Sequence, residues 1–148
     1  MWFEEDLKKW KKAEHEFAYL LLERWASMIQ LAPDKKFSDW DIKAKQWMLE
    51  NYYEVKNDDV SETSGNIWFE YRCNWQPSWI YVSKADFIVY KVDDKFYCIS
   101  RPKLLIRLEF VNKWRAKWWD NWLADMFIVK KEDFFSLIDR NWWVRKIT

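Results

Sequence analysis

The stretch that decides the fold is the pair of segments FSDWDI at residues 37–42 and YYEVK at residues 52–56. Side chains alternate between the two faces of a β-strand, so Glu54 and Lys56 point to the same face. Asp41 lies thirteen residues before Glu54, a spacing that fits two short strands joined by a turn. We therefore expect a hairpin that brings two carboxylates and an ammonium to one place.

Two carboxylates beside an ammonium suit the hydrolysis of a phosphodiester. The carboxylates can hold a hard divalent cation, which activates a water molecule and offsets phosphate charge. The ammonium can orient that water or stabilise the charge that develops in the transition state. The opposing interpretation is that Glu54 and Lys56 form a surface ion pair, which contributes less than about 1 kcal/mol.

The order of these residues resembles the signature of the PD-(D/E)xK nuclease superfamily, which includes restriction enzymes and Holliday-junction resolvases. An aspartate precedes Glu-x-Lys on the next strand, here Asp41 and then EVK at residues 54–56, and Glu14 stands on the preceding helix. Trp40 stands where the name of the motif has proline. The resemblance extends over roughly residues 10–100, and part of it is to phage-encoded members of the superfamily.

This resemblance implies a single domain over residues 1–148 with a restriction-endonuclease-like three-layer α/β fold, in which helices flank a mixed central sheet. It also implies an endonuclease that hydrolyses DNA with Mg²⁺ or Mn²⁺, with branched DNA and phage or host DNA as candidate substrates. Resolvases of this type are usually dimers, so a homodimer is implied as well. Two other functions stay open: a nucleic-acid-binding module of the same fold without catalysis, and an aromatic-rich protein-interaction domain.

The resemblance assigns a role to each residue of the motif. Asp41 and Glu54 bind the metal ion together with the backbone carbonyl of Val55, and Lys56 positions the attacking water. Glu14 contacts the metal ion directly or through water. It falls on the core-facing stripe of the first helix, where a carboxylate needs a partner. The alternative is that Glu14 lies at the edge of the stripe and reaches solvent.

Two more aspartates are candidates for the same site. Asp39 is the reserve for Asp41, because alternation puts both side chains on one face of the strand. Asp58 shares the face of Glu54 by the same rule and is a candidate for supporting the metal ligands.

Charge is unevenly distributed along the chain, although the formal net charge is only +1. Residues 50–70 hold six carboxylates against one lysine, and residues 95–117 hold seven basic residues against one glutamate. A metal-dependent nuclease needs an acidic centre beside a basic flank that holds phosphates, whereas two solvated faces are the alternative. From the basic flank we predict DNA contacts by Lys103, Arg107, Lys113, Arg115 and Lys117, the last three alternating along one strand face.

Tryptophan and glycine occur in unusual numbers, fourteen and one respectively. An average chain of this length holds roughly ten glycines. Trp25 follows a helix end at the position that favours glycine, and Trp75 lies in a turn that needs a small residue. Glycine at Trp79 would also improve the match to the phage-encoded proteins. Further candidates of this kind are Trp118, Trp119 and Trp122.

From these positions we predict that the gene comes from a lineage that reads UGA as glycine, and that its UGA codons were translated as tryptophan. The alternative is a genuine aromatic-rich surface that stacks on bases.

Hydrophobic periodicity predicts helices and strands in an order typical of an α/β protein. The helices are expected over residues 4–24, 101–110 and 132–138. Strands are expected over residues 26–31, 41–45, 52–58, 67–73, 87–92 and 95–99, with two more around residues 113–117 and 123–129 that extend the same sheet.

Several classes of protein are not expected. The chain has no apolar run of eighteen residues and no secretory N-terminus, so we expect neither a membrane span nor export. Cys73 and Cys98 lack metal-ligand spacing, which predicts free thiols in a reducing, cytoplasmic compartment. His15 is the only histidine and faces away from the apolar stripe, so a catalytic triad is not expected. A Gly-rich phosphate loop is absent from the sequence as well.

Overall fold

A computed structural model of the protein describes residues 2–33, 39–58, 61–118, 122–137 and 145–146. The five helices of this part are α1 (Trp2–Glu23), α2 (Ser61–Ser64), α3 (Trp79–Val82), α4 (Arg101–Leu108) and α5 (Lys131–Leu137). Its strands are β1 (Ser27–Leu31), β2 (Ile42–Gln46), β3 (Leu49–Asn57), β4 (Asn66–Cys73), β5 (Gln76–Pro77), β6 (Phe87–Val92), β7 (Lys95–Ser100), β8 (Asn112–Trp118), β9 (Trp122–Lys130) and β10 (Arg145–Lys146). None of the described helices is both long and apolar enough to span a membrane.

The larger sheet, sheet A, has six strands in the order β1-β2-β3-β6-β7-β10. Among the described strands of this sheet, only the β3–β6 pair is parallel and the other pairs are antiparallel, so the sheet is mixed, as predicted. Residues 47 and 48 connect β2 to β3, and this short turn fixes the register that pairs Ile42 with Tyr53. The predicted hairpin is therefore confirmed.

The smaller sheet, sheet B, has four strands in the order β5-β4-β9-β8. The sequence correctly predicts that β4, β8 and β9 are strands, but the expectation that β8 and β9 extend the main sheet is wrong. They pair with β4 instead, and β9 forms antiparallel ladders with both neighbours. Strand periodicity identifies strands but does not specify their partners, because pairing between distant segments depends on tertiary contacts.

Two hydrophobic cores lie on opposite faces of sheet A. On one face, Phe17 and Leu21 of α1 pack against Tyr53 and Val55 of β3. On the other face, the inner side chains of sheet B, α4 and α5 pack against alternate residues of β6 and β7. Because Tyr53 and Val55 face α1, the alternation along β3 turns Glu54 and Lys56 toward the side that carries sheet B.

A β-bulge at Tyr71 changes the direction of the next side chain in β4. Glu70 pairs with Met126 and Arg72 pairs with the adjacent Asp125, so Tyr71 is the extra residue. Residues that face each other across a ladder share a sheet face, so Arg72 joins the face of Asp125 instead of that of Glu70. Simple alternation along the strand predicted over residues 67–73 puts Glu70 and Arg72 on one face. This prediction is wrong, because alternation does not allow for an inserted residue.

Among the described residues, three tryptophans occupy the left-handed backbone region, where glycine is favoured. The φ angles are 68° for Trp25, 59° for Trp47 and 69° for Trp75. Their side chains are 89%, 92% and 59% exposed, respectively, so little packing offsets the strain. At these three positions the backbone conformation favours glycine. The hypothesis that UGA codons were translated as tryptophan remains a prediction.

Each of the three positions belongs to a standard motif. Trp25 is the C′ residue of a Schellman motif, since Ala26 N–H donates to Leu21 O at 3.0 Å and Trp25 N–H donates to Leu22 O at 3.2 Å. Trp47 is the first residue of a two-residue hairpin turn, with positive φ at that residue alone, a pattern that favours glycine there.

The third motif is the turn between β4 and β5. Asn74 and Trp75 both have positive φ between the paired residues Cys73 and Gln76. Asn-Gly is the preferred sequence for such a turn, because both central residues must adopt left-handed geometry.

Candidate active site

Asp41 and Glu54 meet where β2 and β3 begin to pair. Ile42 pairs with Tyr53, which places Asp41 opposite Glu54 in the same register. The backbone fixes this arrangement twice: Asp41 N–H donates to Tyr53 O at 2.8 Å, and Val55 N–H donates to Asp41 Oδ2 at 2.7 Å. The carboxylates therefore share one face of sheet A, as the spacing predicts.

Glu54 and Lys56 form a close ion pair on this face. Glu54 is only 6% exposed, and its Oε1 lies 3.1 Å from Lys56 Nζ. The surface-pair alternative requires solvent around both partners, and the burial of Glu54 argues against it. The second oxygen, Oε2, accepts a hydrogen bond from Ser83 Oγ at 3.1 Å.

Burial and repulsion together raise the pKa of the Asp41 carboxyl to about 7. Burial is the larger cause and the charge of Glu54 is the second, while Lys56 and the Val55 N–H oppose them. For Lys56, burial lowers the pKa, but the charges of Glu54 and Asp41 outweigh burial and raise it. The site therefore keeps a charged ammonium and carries more negative charge than one lysine neutralises.

Glu14 reaches the same electrostatic environment from α1. Burial raises the pKa of its carboxyl, Lys56 lowers it and Glu54 raises it. Glu14 is half-buried, which fits both a residue that contacts the site and one at the edge of the stripe that reaches solvent, so both interpretations stay predictions. Across the described ranges, however, no three carboxylate, imidazole or thiol groups form a ready-made metal cluster.

The two other aspartates have different partners. Asp39 Oδ2 lies 3.7 Å from Lys84 Nζ, and the backbone carbonyl of Asp39 accepts a hydrogen bond from Lys84 N–H at 2.7 Å. The same carbonyl lies 3.2 Å from Ser83 Oγ and shares the single hydroxyl hydrogen of Ser83 with Glu54 Oε2. The structure thus pairs Asp41, and not Asp39, with Glu54. Asp58 accepts hydrogen bonds from the backbone N–H and the hydroxyl of Ser61 at the start of α2.

The predicted DNA-binding residues of α4 are in two different environments. Lys103 is exposed, and its backbone N–H donates to Ser100 Oγ at 3.3 Å. Arg107 is half-buried and donates to the backbone carbonyl of Leu137, which ties α4 to the end of α5. Arg107 therefore has a structural contact that the sequence did not predict.

Strand β8 contains Lys113, Arg115 and Lys117, and its antiparallel pairing places Lys113 and Arg115 on one face. Lys113 Nζ lies 5.8 Å from the ring centroid of Phe127. Arg115 is paired with Asp125 and stacks over Trp75, with 4.1 Å from its guanidinium carbon to the ring centroid. The side chain of Lys117 is outside the described part of the structure.

Sequence reasoning missed Ser83, which holds the second oxygen of Glu54. Ser83 is buried, and its Oγ also accepts a hydrogen bond from Ala85 N–H at 3.1 Å. A single serine after a short helix has no pattern that would mark it, so only the tertiary structure identifies it. His15 is exposed as expected, and Cys73 and Cys98 are free thiols as expected.

No protein-family model matches the chain, and no curated protein matches it. The fold is similar to the solved structure of a bacterial homing endonuclease, I-Ssp6803I, with a TM-score of 0.50 and 19% sequence identity. The match covers 64% of this chain and 64% of the homing endonuclease, so this chain spans less than two thirds of that protein. At this identity the similarity supports the class of fold, an α/β nuclease-like fold.

Proposed function

We propose that the protein is a metal-dependent endonuclease that hydrolyses DNA phosphodiester bonds. The observation that carries this proposal is the meeting of Asp41 and Glu54 on one sheet face, with Lys56 Nζ 3.1 Å from Glu54. Buried like charges are costly unless a function or a cation uses them. The similarity of the fold to a homing endonuclease supports the same class of activity.

The residues present fit a hard divalent cation such as Mg²⁺ or Mn²⁺. The carboxylates of Asp41 and Glu54 repel each other at a site that is partly shielded from solvent, and the charge of a divalent cation would relieve this repulsion. In this proposal Asp41, Glu54 and the backbone carbonyl of Val55 hold the ion, while Glu14 acts through water. When bound, the ion supplies a Lewis acid that lowers the pKa of water and offsets phosphate charge.

The other side chains prepare this site for hydrolysis. Lys56 orients the attacking water and stabilises charge, since its ammonium remains protonated beside Glu54. Ser83 holds Glu54 in one orientation, which reduces the reorganisation needed when a substrate binds.

The proposal also includes a superfamily, an oligomeric state, a location and a type of DNA substrate. Membership of the PD-(D/E)xK superfamily rests on the order of Asp41 and Glu54-Val55-Lys56. The resemblance to this superfamily is the sole support for three further parts of the proposal: a homodimer, a cytoplasmic location, and action on branched, phage or host DNA.

The test is cleavage of supercoiled plasmid and of branched DNA with Mg²⁺ or Mn²⁺. We expect cleavage by the wild-type protein, its loss when EDTA removes the metal ion, and its loss in Glu54→Gln, which keeps the shape but not the charge. Glu50→Gln is the matched control, because Glu50 lies on the same strand but is exposed.

Cleavage that survives EDTA or the Glu54→Gln substitution would contradict the proposal. Salt-sensitive DNA binding without any cleavage would instead identify a non-catalytic binding module of the same fold.

A further inference from the structure

Sheet B carries two arginines on either side of one buried carboxylate. Asp125 of β9 is 5% exposed and pairs with Arg72 of β4 on one side and with Arg115 of β8 on the other. Arg115 Nε donates to Oδ1 at 2.6 Å and Nη2 donates to Oδ2 at 3.4 Å. Arg72 Nε lies 2.9 Å from Oδ2 as an ion pair, without hydrogen-bond alignment.

The cluster has an excess of positive charge, because two guanidinium groups share the single carboxylate of Asp125. Their side chains are 40% and 44% exposed, whereas that of Asp125 is 8% exposed, so the buried acid lies beneath two accessible cations. A guanidinium has five N–H donors, and the contacts with Asp125 use only some of them. The remaining donors suit the oxygens of a phosphate, which Arg binds in a planar, bidentate manner.

The bulge in β4 is what creates this arrangement. Without the extra residue Tyr71, Arg72 would point to the opposite face of the sheet from Asp125 and Arg115. Bulges commonly redirect a side chain beside an active site.

Packed aromatic rings connect Arg72 to α3, the helix that precedes Ser83. The guanidinium carbon of Arg72 lies 5.4 Å from the ring centroid of Tyr71, whose ring lies 5.7 Å from that of Tyr81 on α3. Two residues beyond Tyr81, Ser83 donates its hydroxyl hydrogen to Glu54. The ring contact between Tyr71 and Tyr81 therefore links the strand that carries Arg72 to α3, and Ser83, which contacts Glu54, follows α3 in the chain.

We propose that Arg72 and Arg115 together bind a backbone phosphate of DNA, and that Asp125 is the positioning residue that holds both guanidiniums for this contact. The inference rests on the proposed function and adds where the DNA backbone is held. Of the residues predicted from the sequence it includes only Arg115, since neither Arg72 nor Asp125 had a predicted role.

The test is the affinity for a fluorescent DNA duplex in EDTA, where no cleavage occurs, measured over a series of salt concentrations. We expect Arg72→Gln and Arg115→Gln each to weaken binding about tenfold and to reduce the salt slope by about one. Arg115→Lys keeps the charge but not the planar fork, and we expect it to weaken binding as well. Lys12→Gln is the control and should leave the affinity unchanged, because α1 packs on the opposite face of sheet A from sheet B.

Asp125→Asn separates positioning from simple charge balance. Removal of a negative charge near DNA should strengthen binding if Asp125 only neutralises the arginines. In our proposal the same substitution weakens binding, because both guanidiniums lose their fixed orientation, and it adds little once Arg115 is already glutamine. Thermal unfolding monitored by circular dichroism identifies variants that have lost their fold, and Arg115→Lys then provides the deciding comparison.

Wild-type DNA binding that is insensitive to the arginine substitutions, or stronger binding by Asp125→Asn, would overturn this inference and leave the proposed nuclease function intact. A wild-type protein that neither binds nor cleaves DNA would overturn both.

Discussion

The substitution Asp41→Asn is expected to abolish metal-dependent cleavage and, in the metal-free protein at pH 8, to increase the free energy of unfolding by about 2 to 3 kcal/mol. Activity is lost because an amide is a poor ligand for a hard cation compared with a carboxylate. Stability rises because the amide removes a half-buried charge that faces Glu54. The amide oxygen can still accept the hydrogen bond from Val55 N–H.

The raised pKa of the Asp41 carboxyl makes the stability of the metal-free wild-type protein depend on pH. The Asp41 carboxyl has a pKa of about 7 in the folded protein, above its ordinary value of 3.8, so the folded state binds the proton more tightly than the unfolded state. This contribution to stability is fully present below about pH 4 and is lost as the pH rises through about 7. We expect a much smaller loss over this window in Asp41→Asn.

Urea unfolding in EDTA between pH 5 and pH 8.5 measures the stability gained by Asp41→Asn and the pH dependence of the wild-type protein. Addition of Mg²⁺ at pH 8 measures the stabilisation by the ion. The ion should stabilise the wild-type protein more than Asp41→Asn, because ligands that bind only the folded state raise its stability. Asp39→Asn is the matched control, since Asp39 pairs with Lys84 and not with Glu54. Equal changes in stability and in the response to Mg²⁺ for the two substitutions would contradict the assignment of Asp41 to the metal site.

Replacing Trp25, Trp47 and Trp75 by glycine is expected to stabilise the protein by about 3 kcal/mol in sum. A left-handed backbone costs an L-residue with a side chain roughly 1–2 kcal/mol, of which the greater flexibility of unfolded glycine takes back part. For a chain of this size, 3 kcal/mol corresponds to a rise in Tm of roughly 6–12 °C. The gain should be smallest at Trp75, whose ring stacks on Arg115.

Differential scanning calorimetry of the single and triple variants measures this effect. The control is Trp68→Gly in the interior of β4, where φ is outside the left-handed region and glycine should destabilise the strand. Loss of stability in the triple variant would contradict the structural argument. The nucleotide sequence tests the codon hypothesis separately: UGG at these three codons would exclude it.

The sequence was most informative where the determinants are local. The alternation of Glu54 and Lys56, together with a short connection to Asp41, is enough to define the hairpin and its shared face, because a one-residue slip would invert every side chain. The end of α1 before Trp25 was predictable for the same reason, since a helix C-terminus has its own short-range geometry.

What the sequence could not provide depends on distant segments meeting. The partners of β8 and β9 follow from packing against β4, which lies some fifty residues earlier in the chain. Arg72 was assigned to the wrong face because a bulge has no mark in the residue pattern. Ser83 and Asp125 matter through single tertiary contacts, which periodicity does not encode.

The parallel pairing of β3 with β6 has a consequence for the order of folding. Two parallel strands need a crossover, and here the crossover contains β4, which pairs with β9 near the end of the described chain. Helix α1 and the strands β1 to β3 can form early from neighbouring contacts, whereas sheet B must wait for contacts of high sequence separation. A nascent chain that has not yet produced β9 therefore presents β4 as an open edge, the kind of surface on which aggregation begins.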